Sequence, residues 1–348
     1  MRIAKHNIGQ GNPVYVVAEM SANHNNDFDH AVRIIRAAAE AGADAIKVQT
    51  YTADTMTLDC RNDEFQVKGG TLWDGRSYYD LYKEASMPWE WQPELKRIAN
   101  DAGLDFFSSP FDETAVEFLE SIDVPAYKVA SFEIVDIPLL KRIAKTGKPV
   151  IVSTGMATAE EIAEALTTLH ANGGTEIALL KCTSAYPAPP ESMNLRTIPE
   201  MAQRFGVEVG LSDHTLGIAV PVAAVGLGAS IIEKHFTLSR NDPGPDSTFS
   251  LEPHELKQMI DAVHIAARAL GGVQYGPGNS DKPNLNFRRS LYAIREIGKG
   301  EVISEMNIKA IRPGHGLHTR YLTEIVGKHA ATEIPRGTPL SWELIAKE

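Results

Sequence analysis

The sequence predicts an α/β fold: a (β/α)8 barrel of the TIM type followed by a small C-terminal domain. Three observations lead there. Between residues 14 and 270, eight short apolar, β-rich segments each give way to a helical stretch, the pattern of parallel strands joined by helical crossovers. Polar and ionisable side chains collect where those apolar segments stop. Beyond Gly271 the composition changes to Gly, Pro and Asn and the beat ends.

The first strand, residues 14–18 (VYVVA), delivers Glu19, and Asn23, His24 and Asn25 follow in its loop. A helix over 27–41 closes at Gly42. The second strand, 43–49 (ADAIKVQ), ends in Lys47 and Gln49, which strand alternation puts on one face with Val48 on the other. A long excursion over 50–88 interrupts the rhythm, and loops of this length generally carry function. After a helix over 88–102 come strands at 104–109, 126–131, 149–154 and 176–184, with helices at 112–121, 137–145, 158–170 and 196–205. Thr158 and Glu161 stand at capping-box spacing. The seventh strand, 207–211, runs into Ser212-Asp213-His214. A helix over 216–227 leads to the eighth, which starts at 230 and ends in Glu233-Lys234-His235. The last helix spans 253–270. We assign 1–275 to the barrel, 276–287 to a linker and 288–348 to the small domain, whose short elements are split by Gly and Pro.

The chain has 348 residues, of which 43% are hydrophobic, enough for a large core. Its net charge of −11 argues against a nucleic-acid partner, although a few local lysines can still gather an anionic small molecule. Cys60 and Cys182 fit no metal or redox spacing. Neither a leader nor an apolar run of ~18 residues is evident, which predicts a soluble cytoplasmic protein with no membrane contact.

The strand ends define the candidate site. His214 and His235 leave consecutive strands 21 residues apart (235 − 214). In a parallel barrel such ends are neighbours on the face that carries active sites. Two imidazoles there can share a divalent metal and leave its other positions for water and substrate. Lys47 and Lys128, set among Ser109, Ser131, Ser153, Ser184 and Ser212, supply the point charges and short hydroxyls that a phosphate or carboxylate needs. Ser153-Thr154-Gly155 leads into a helix whose amino end offers further donors. Glu19 is a candidate acid or base, or simply the ion-pair partner of Lys47. Together these features suit a metal-assisted, aldol-type addition using a phosphorylated substrate.

The segments AEMSANHN, ADAIKVQ, FFSSPFD, AYKVAS, VSTGM, CTSAYP, GLSDHT, IEKHFT, GPD and IRPGHG occur in this order. In this, the chain resembles the sialic acid synthase family of phosphoenolpyruvate-dependent sugar acid synthases. The resemblance covers essentially the whole chain. It identifies the small domain as similar to the antifreeze-like (SAF) domain. It implies that Lys47, Ser109, Lys128, Ser131, Ser153, Ser184 and Ser212 hold phosphoenolpyruvate. His214 and His235 are implied to bind Mn2+, Mg2+ or Co2+, with Glu19 as the catalytic carboxylate. Gln49, Tyr186 and Asp246 fall on positions that contact the acetamido sugar. Arg312 would reach its acyl group from the other subunit of a domain-swapped homodimer. Sialic acid synthases carry Asn where this chain has Ser184. The excursion TLWDGRSYYDLYKEASMPWEW and the run HFTLSRNDPGPDSTFSLEP look more like the branch that forms pseudaminic acid. The implied reaction joins C3 of phosphoenolpyruvate to the aldehyde of an open-chain 2,4-diacetamido-2,4,6-trideoxy hexose of altrose type. Water then adds at C2 and phosphate leaves by C–O cleavage. The alternative acceptor is of the N-acetylmannosamine type, giving N-acetylneuraminic or legionaminic acid. Rival readings are a heptulosonate or octulosonate phosphate synthase, a sugar-binding protein that has kept the fold, and a metal hydrolase. The hydrolase reading suffers from the lack of a third strong metal ligand.

Overall fold

The computed structural model describes residues 1–70 and 72–347. Compact packing divides the chain into two units, Met1–Gly271 and Gly272–Glu348. In the first, eight parallel strands close into a barrel. They are β1 (Tyr15–Glu19), β2 (Ala45–Thr50), β3 (Asp105–Pro110), β4 (Tyr127–Val129), β5 (Val150–Ser153), β6 (Ile177–Cys182), β7 (Glu208–Asp213) and β8 (Ile231–His235). Each pairs with the next, and β8 returns to β1. All eight are where the sequence predicts them, because each is a short, largely buried run set off by loop residues.

The helices between them are α1 (Phe28–Ala41), α2 (Gln92–Asp101), α3 (Glu113–Ser121), α4 (Ile137–Ala144), α5 (Ala159–Ala171), α6 (Thr197–Phe205), α7 (Ala219–Gly226) and α8 (Pro253–Leu270). Their ends follow local chemistry. Asp27 caps α1 by accepting from the His30 amide, and Gly42 ends it with φ of 92°, a left-handed conformation cheapest for glycine. Thr158 and Glu161 form the expected capping box on α5. Those contacts engage the Thr158 and Glu161 amides, so the Glu161 amide is not one of the helix-end donors expected for an anion. The helix expected over 88–102 is split, with a 3-10 turn at Trp89–Trp91 preceding α2.

Two features were not read from the sequence. Residues Arg2–Ile3 and His6–Asn7 form a small antiparallel hairpin. The excursion after β2 is ordered around a short helix at Ala53–Met56 and a second at Tyr78–Ala85, with Gln66 bridged to Ser77. No helix among the described residues is long and apolar enough to cross a membrane.

The second unit has its own apolar cluster, including Leu291, Ile297, Ile303, Ile308, Ile325 and Leu340. Its strands β9 (Ser290–Ala293) and β10 (Ile308–Ile311) pair antiparallel. The stretch read as a linker contributes a 3-10 turn at Lys282–Phe287 to this unit.

Candidate active site at the barrel mouth

Register builds the site. His235 on β8 stands opposite Glu19 on β1, and Glu19 stands opposite Lys47 on β2. Glu233 is level with Ser212, and Gln49 with Ser109. A cavity of about 530 Å³ opens at these strand ends. Glu19, Lys47, Gln49, Ser109, Lys128, Ser131, Ser153, Tyr186, Ser212, His214, His235 and Asp246 all line it. Ser184 sits just behind, with its hydroxyl 2.8 Å from that of Ser131. Gly155 makes room for this pair: a Cβ there would fall 2.4 Å from the Ser131 Cβ. Of the sequence-predicted site residues, Arg312 alone belongs to the second unit.

Two lysines and two glutamates interlock at the centre. Lys47 Nζ lies 2.6 Å from Glu19 Oε2 and 3.3 Å from Ser109 Oγ. Lys128 Nζ donates to Ser153 Oγ at 2.6 Å and to the Val129 carbonyl at 3.0 Å. Glu233 stands between them, its Oε1 at 3.9 Å from each ammonium and accepting from Ser212 Oγ at 3.0 Å. Its Oε2 is buried without a hydrogen-bond partner. Burial pushes the Glu19 carboxyl up to about 7 in spite of Lys47. It would raise Glu233 too, but Lys128 and Lys47 outweigh it and hold that carboxyl below its usual range. Burial lowers Lys128. It also opposes the charge on Lys47, where Glu19 and Glu233 prevail and raise the pKa. The ion pair between Glu19 and Lys47 therefore exists, and the same carboxylate also accepts from Gln49 Nε2 at 3.1 Å.

Sequence reasoning missed Glu233 as a site residue, though the signal was available. It lies two positions before His235 on one strand, so both face the cavity, and Lys234 between them faces away. Lys234 instead reaches Asp213 Oδ2 at 2.5 Å and donates to the Thr215 carbonyl. That buried pair ties the residues flanking His214 to the neighbour of His235.

The two histidine rings are 5.3 Å apart between centroids. His214 Nδ1 donates to the Thr183 carbonyl at 3.0 Å, which fixes the tautomer and leaves Nε2 with its lone pair. His235 Nδ1 is buried without a hydrogen-bond partner, 3.9 Å from Asp246 Oδ2. Burial lowers both imidazole pKa values, that of His235 strongly, so both rings are neutral at neutral pH. No cluster of three or more His, Cys, Asp or Glu ligands forms among the described residues. Two neutral imidazoles, one braced and one carrying an orphaned nitrogen, fit a divalent ion whose remaining ligands are water and substrate. Cys182 and Cys60 are both free thiols, and burial pushes the Cys182 thiol up.

Other strand-end hydroxyls are consumed by the barrel itself. Ser108 donates to the Val48 carbonyl and Thr154 to that of Leu180. Lys181 Nζ is held by the Cys182 carbonyl at 2.7 Å.

A parallel-barrel enzyme with paired lysines, hydroxyls and two metal-ready histidines at its mouth is the class that fold and site define. The chain belongs to the NeuB family, which it matches over residues 34–275, and it carries a SAF domain at 288–346. It is 46% identical over 334 residues to a pseudaminic acid synthase of Campylobacter jejuni, covering 96% of this chain and 97% of that one. It is 36% identical to an N,N'-diacetyllegionaminic acid synthase of Legionella pneumophila, covering 97% of this chain and 96% of that one. Among solved structures, N-acetylneuraminic acid synthetase from Leptospira borgpetersenii superposes with a TM-score of 0.74 at 33% identity, covering 83% of this chain and 95% of that one.

Proposed function

We propose that this chain condenses phosphoenolpyruvate with the open-chain form of a 2,4-diacetamido-2,4,6-trideoxy hexose of altrose type. The products are pseudaminic acid and inorganic phosphate. The observation that carries the reaction is one cavity holding Lys47 and Lys128 among serines, directly beside two neutral histidines. The choice of acceptor is supported by 46% identity to a pseudaminic acid synthase, against 36% to a legionaminic acid synthase.

Lys47, Lys128 and the hydroxyls of Ser109, Ser131, Ser153 and Ser212, with Ser184 behind them, bind the donor's phosphate and carboxylate. His214 and His235 would hold a divalent ion (Mn2+, Mg2+ or Co2+), which when bound supplies Lewis-acid polarisation of the acceptor carbonyl. Gln49, Tyr186 and Asp246 orient the acceptor. C3 of the donor bonds to the acceptor's C1, whose oxygen takes a proton and becomes a hydroxyl. Water adds at the donor's C2. The bond from C2 to the phosphate oxygen then breaks, leaving a 2-keto acid. Glu19, with its carboxyl near 7, can hold or release a proton beside the reacting carbonyl.

Phosphate release measured with the trideoxy acceptor and with N-acetylmannosamine tests this reading, and the trideoxy sugar should give at least tenfold higher kcat/KM. Turnover of N-acetylmannosamine alone would overturn the acceptor assignment. Phosphoenolpyruvate labelled with 18O at the bridging oxygen should place the label in phosphate.

The reading includes a homodimer in which Arg312 of one subunit closes the other's site. It is motivated by the family resemblance and by the arginine's place before Pro313-Gly314 in the second unit. Mixed Arg312→Ala and His214→Ala dimers should recover up to one active site each. A demonstrably scrambled mixture that stays inactive would exclude the arrangement.

A further inference from the structure

The cavity has two unlike flanks. The flank made by strand ends carries the lysines, glutamates, histidines and serines described above. A second part of the lining comes from the excursion after β2, where Tyr51, Met56, Val67, Tyr78, Leu81 and Tyr82 face the cavity, and the neighbouring Lys68 has its ammonium 3.1 Å from Asp63. This wall is built, not collapsed. Tyr51 meets Tyr82 edge-on at 5.9 Å and Phe111 at 5.1 Å, while Tyr78 stacks on Tyr82 at 6.1 Å. Ser77 caps the helix at Tyr78–Ala85 and receives a hydrogen bond from Arg61 at 2.8 Å. Val67 is fixed by its amide N–H, which donates to the Arg76 carbonyl at 2.8 Å. At its far edge the Trp73 indole donates to the Pro245 carbonyl at 3.3 Å, tying the excursion to the loop after β8.

An acceptor must bring its carbonyl carbon to the histidine side. With its middle held by Gln49, Tyr186 and Asp246, its far end is then free to meet the wall of the excursion. A hexose with hydroxyls at C4 and C6 would set donors against Met56, Val67 and Leu81, whose side chains offer no strong acceptor, which is unfavourable. A sugar with a methyl at C6 and an N-acetyl methyl at C4 presents apolar surface there, which is favourable.

We propose that the wall formed by Met56, Val67, Leu81 and Tyr82 is a specificity subsite for the methyl-bearing end of the acceptor. It selects against a hydroxylated hexose by leaving its hydroxyls unpaired. This inference rests on the reaction proposed above and assigns the residues that choose among its acceptors.

The test measures kcat/KM for the 2,4-diacetamido-2,4,6-trideoxy acceptor and for N-acetylmannosamine, in the full-length wild type and in Leu81→Asn and Met56→Gln. Calorimetric affinity for phosphoenolpyruvate and thermal melting accompany the kinetics. Leu81→Asn should lower the ratio of the two kcat/KM values at least tenfold and leave donor affinity within twofold of wild type. Met56 is only half-buried, so Met56→Gln carries the test should Leu81→Asn fail to fold, with a smaller drop in the same direction. Folded variants that bind the donor normally and keep the wild-type ratio would overturn the subsite alone. A wild-type enzyme that prefers N-acetylmannosamine would overturn the acceptor reading and the subsite with it.

Discussion

The two ends of the barrel hold similar side chains for opposite purposes. At the amino ends of the strands, Tyr15 donates to Asp105 Oδ2 at 2.8 Å and the Val16 amide donates to Asp44 Oδ2 at 2.8 Å. His6, from the N-terminal hairpin, lies 3.7 Å from Asp44 and 3.8 Å from Asp105. Both carboxylates there are locked to β1. At the carboxyl ends, buried Glu233 and His235 keep polar atoms without hydrogen-bond partners, and two ammonium groups crowd two carboxylates. One floor atom, His6 Nε2, is also buried without a hydrogen-bond partner, but both floor carboxylates are hydrogen-bonded, whereas the unpaired carboxylate and imidazole atoms at the mouth are placed to take a ligand. The floor is arranged for stability and the mouth for chemistry.

Substitution at the mouth should break this comparison most sharply. Lys47→Ala and His235→Ala should each lower kcat/KM by about 1,000-fold or more, roughly 4 kcal/mol of transition-state stabilisation. His235→Ala should cost little stability, whereas Lys47→Ala also strips buried Glu19 of its ion-pair partner and should lower the melting temperature. Paired phosphate-release kinetics and thermal melts check this. A large drop in melting temperature for His235→Ala would make that residue structural instead.

A middle-sized effect separates the two ends by pH. His24, in the loop at the mouth, is pushed down to about 4 by burial. The unfolded chain therefore binds a proton near pH 6.5 that the folded chain refuses until about 4. Stability from this residue is complete above pH 6.5 and falls as pH drops towards 4, by roughly 3 kcal/mol. At the floor the sign reverses. Burial raises the pKa of both Asp44 and Asp105, so their contribution is most favourable at low pH and fades as pH rises through their folded values. Urea melts at pH 7.5, 6 and 5 should show a flatter profile for His24→Gln than for wild type. An unchanged slope would show that another group governs the acid limb.

The smallest effect lies at the floor. Asp105→Ala leaves the buried Tyr15 hydroxyl without its acceptor, which should cost about 1–2 kcal/mol in urea melts. Its kcat should match wild type. A comparable loss of kcat would tie the floor to catalysis.

Much of this was legible in the sequence, for physical reasons. A buried parallel strand is a short apolar run, so all eight could be read, and alternation put Lys47 and Gln49 together on one face, which is the cavity's. Glu233 was overlooked because a charged triplet at a strand end does not say which members turn inward until the register is fixed by His235. The hairpin at the floor has strands of two residues, too short to carry a period. The excursion could be recognised as functional from its length. Its apolar face could not, because Tyr51, Val67 and Leu81 come together through turns that no periodicity encodes.

The alternation on β8 also bears on how such an enzyme can change over time. Glu233 and His235 face the cavity, and Lys234 between them is locked outside to Asp213. Gaining or losing one residue in this strand would exchange the two sets, putting a lysine in the cavity and a carboxylate against a carboxylate outside. Length variation is therefore closed to the strands and open to the loops they carry. A lineage with this architecture is free to remodel the segment after β2, and with it the sugars it accepts, while the reacting groups stay on strands that cannot shift.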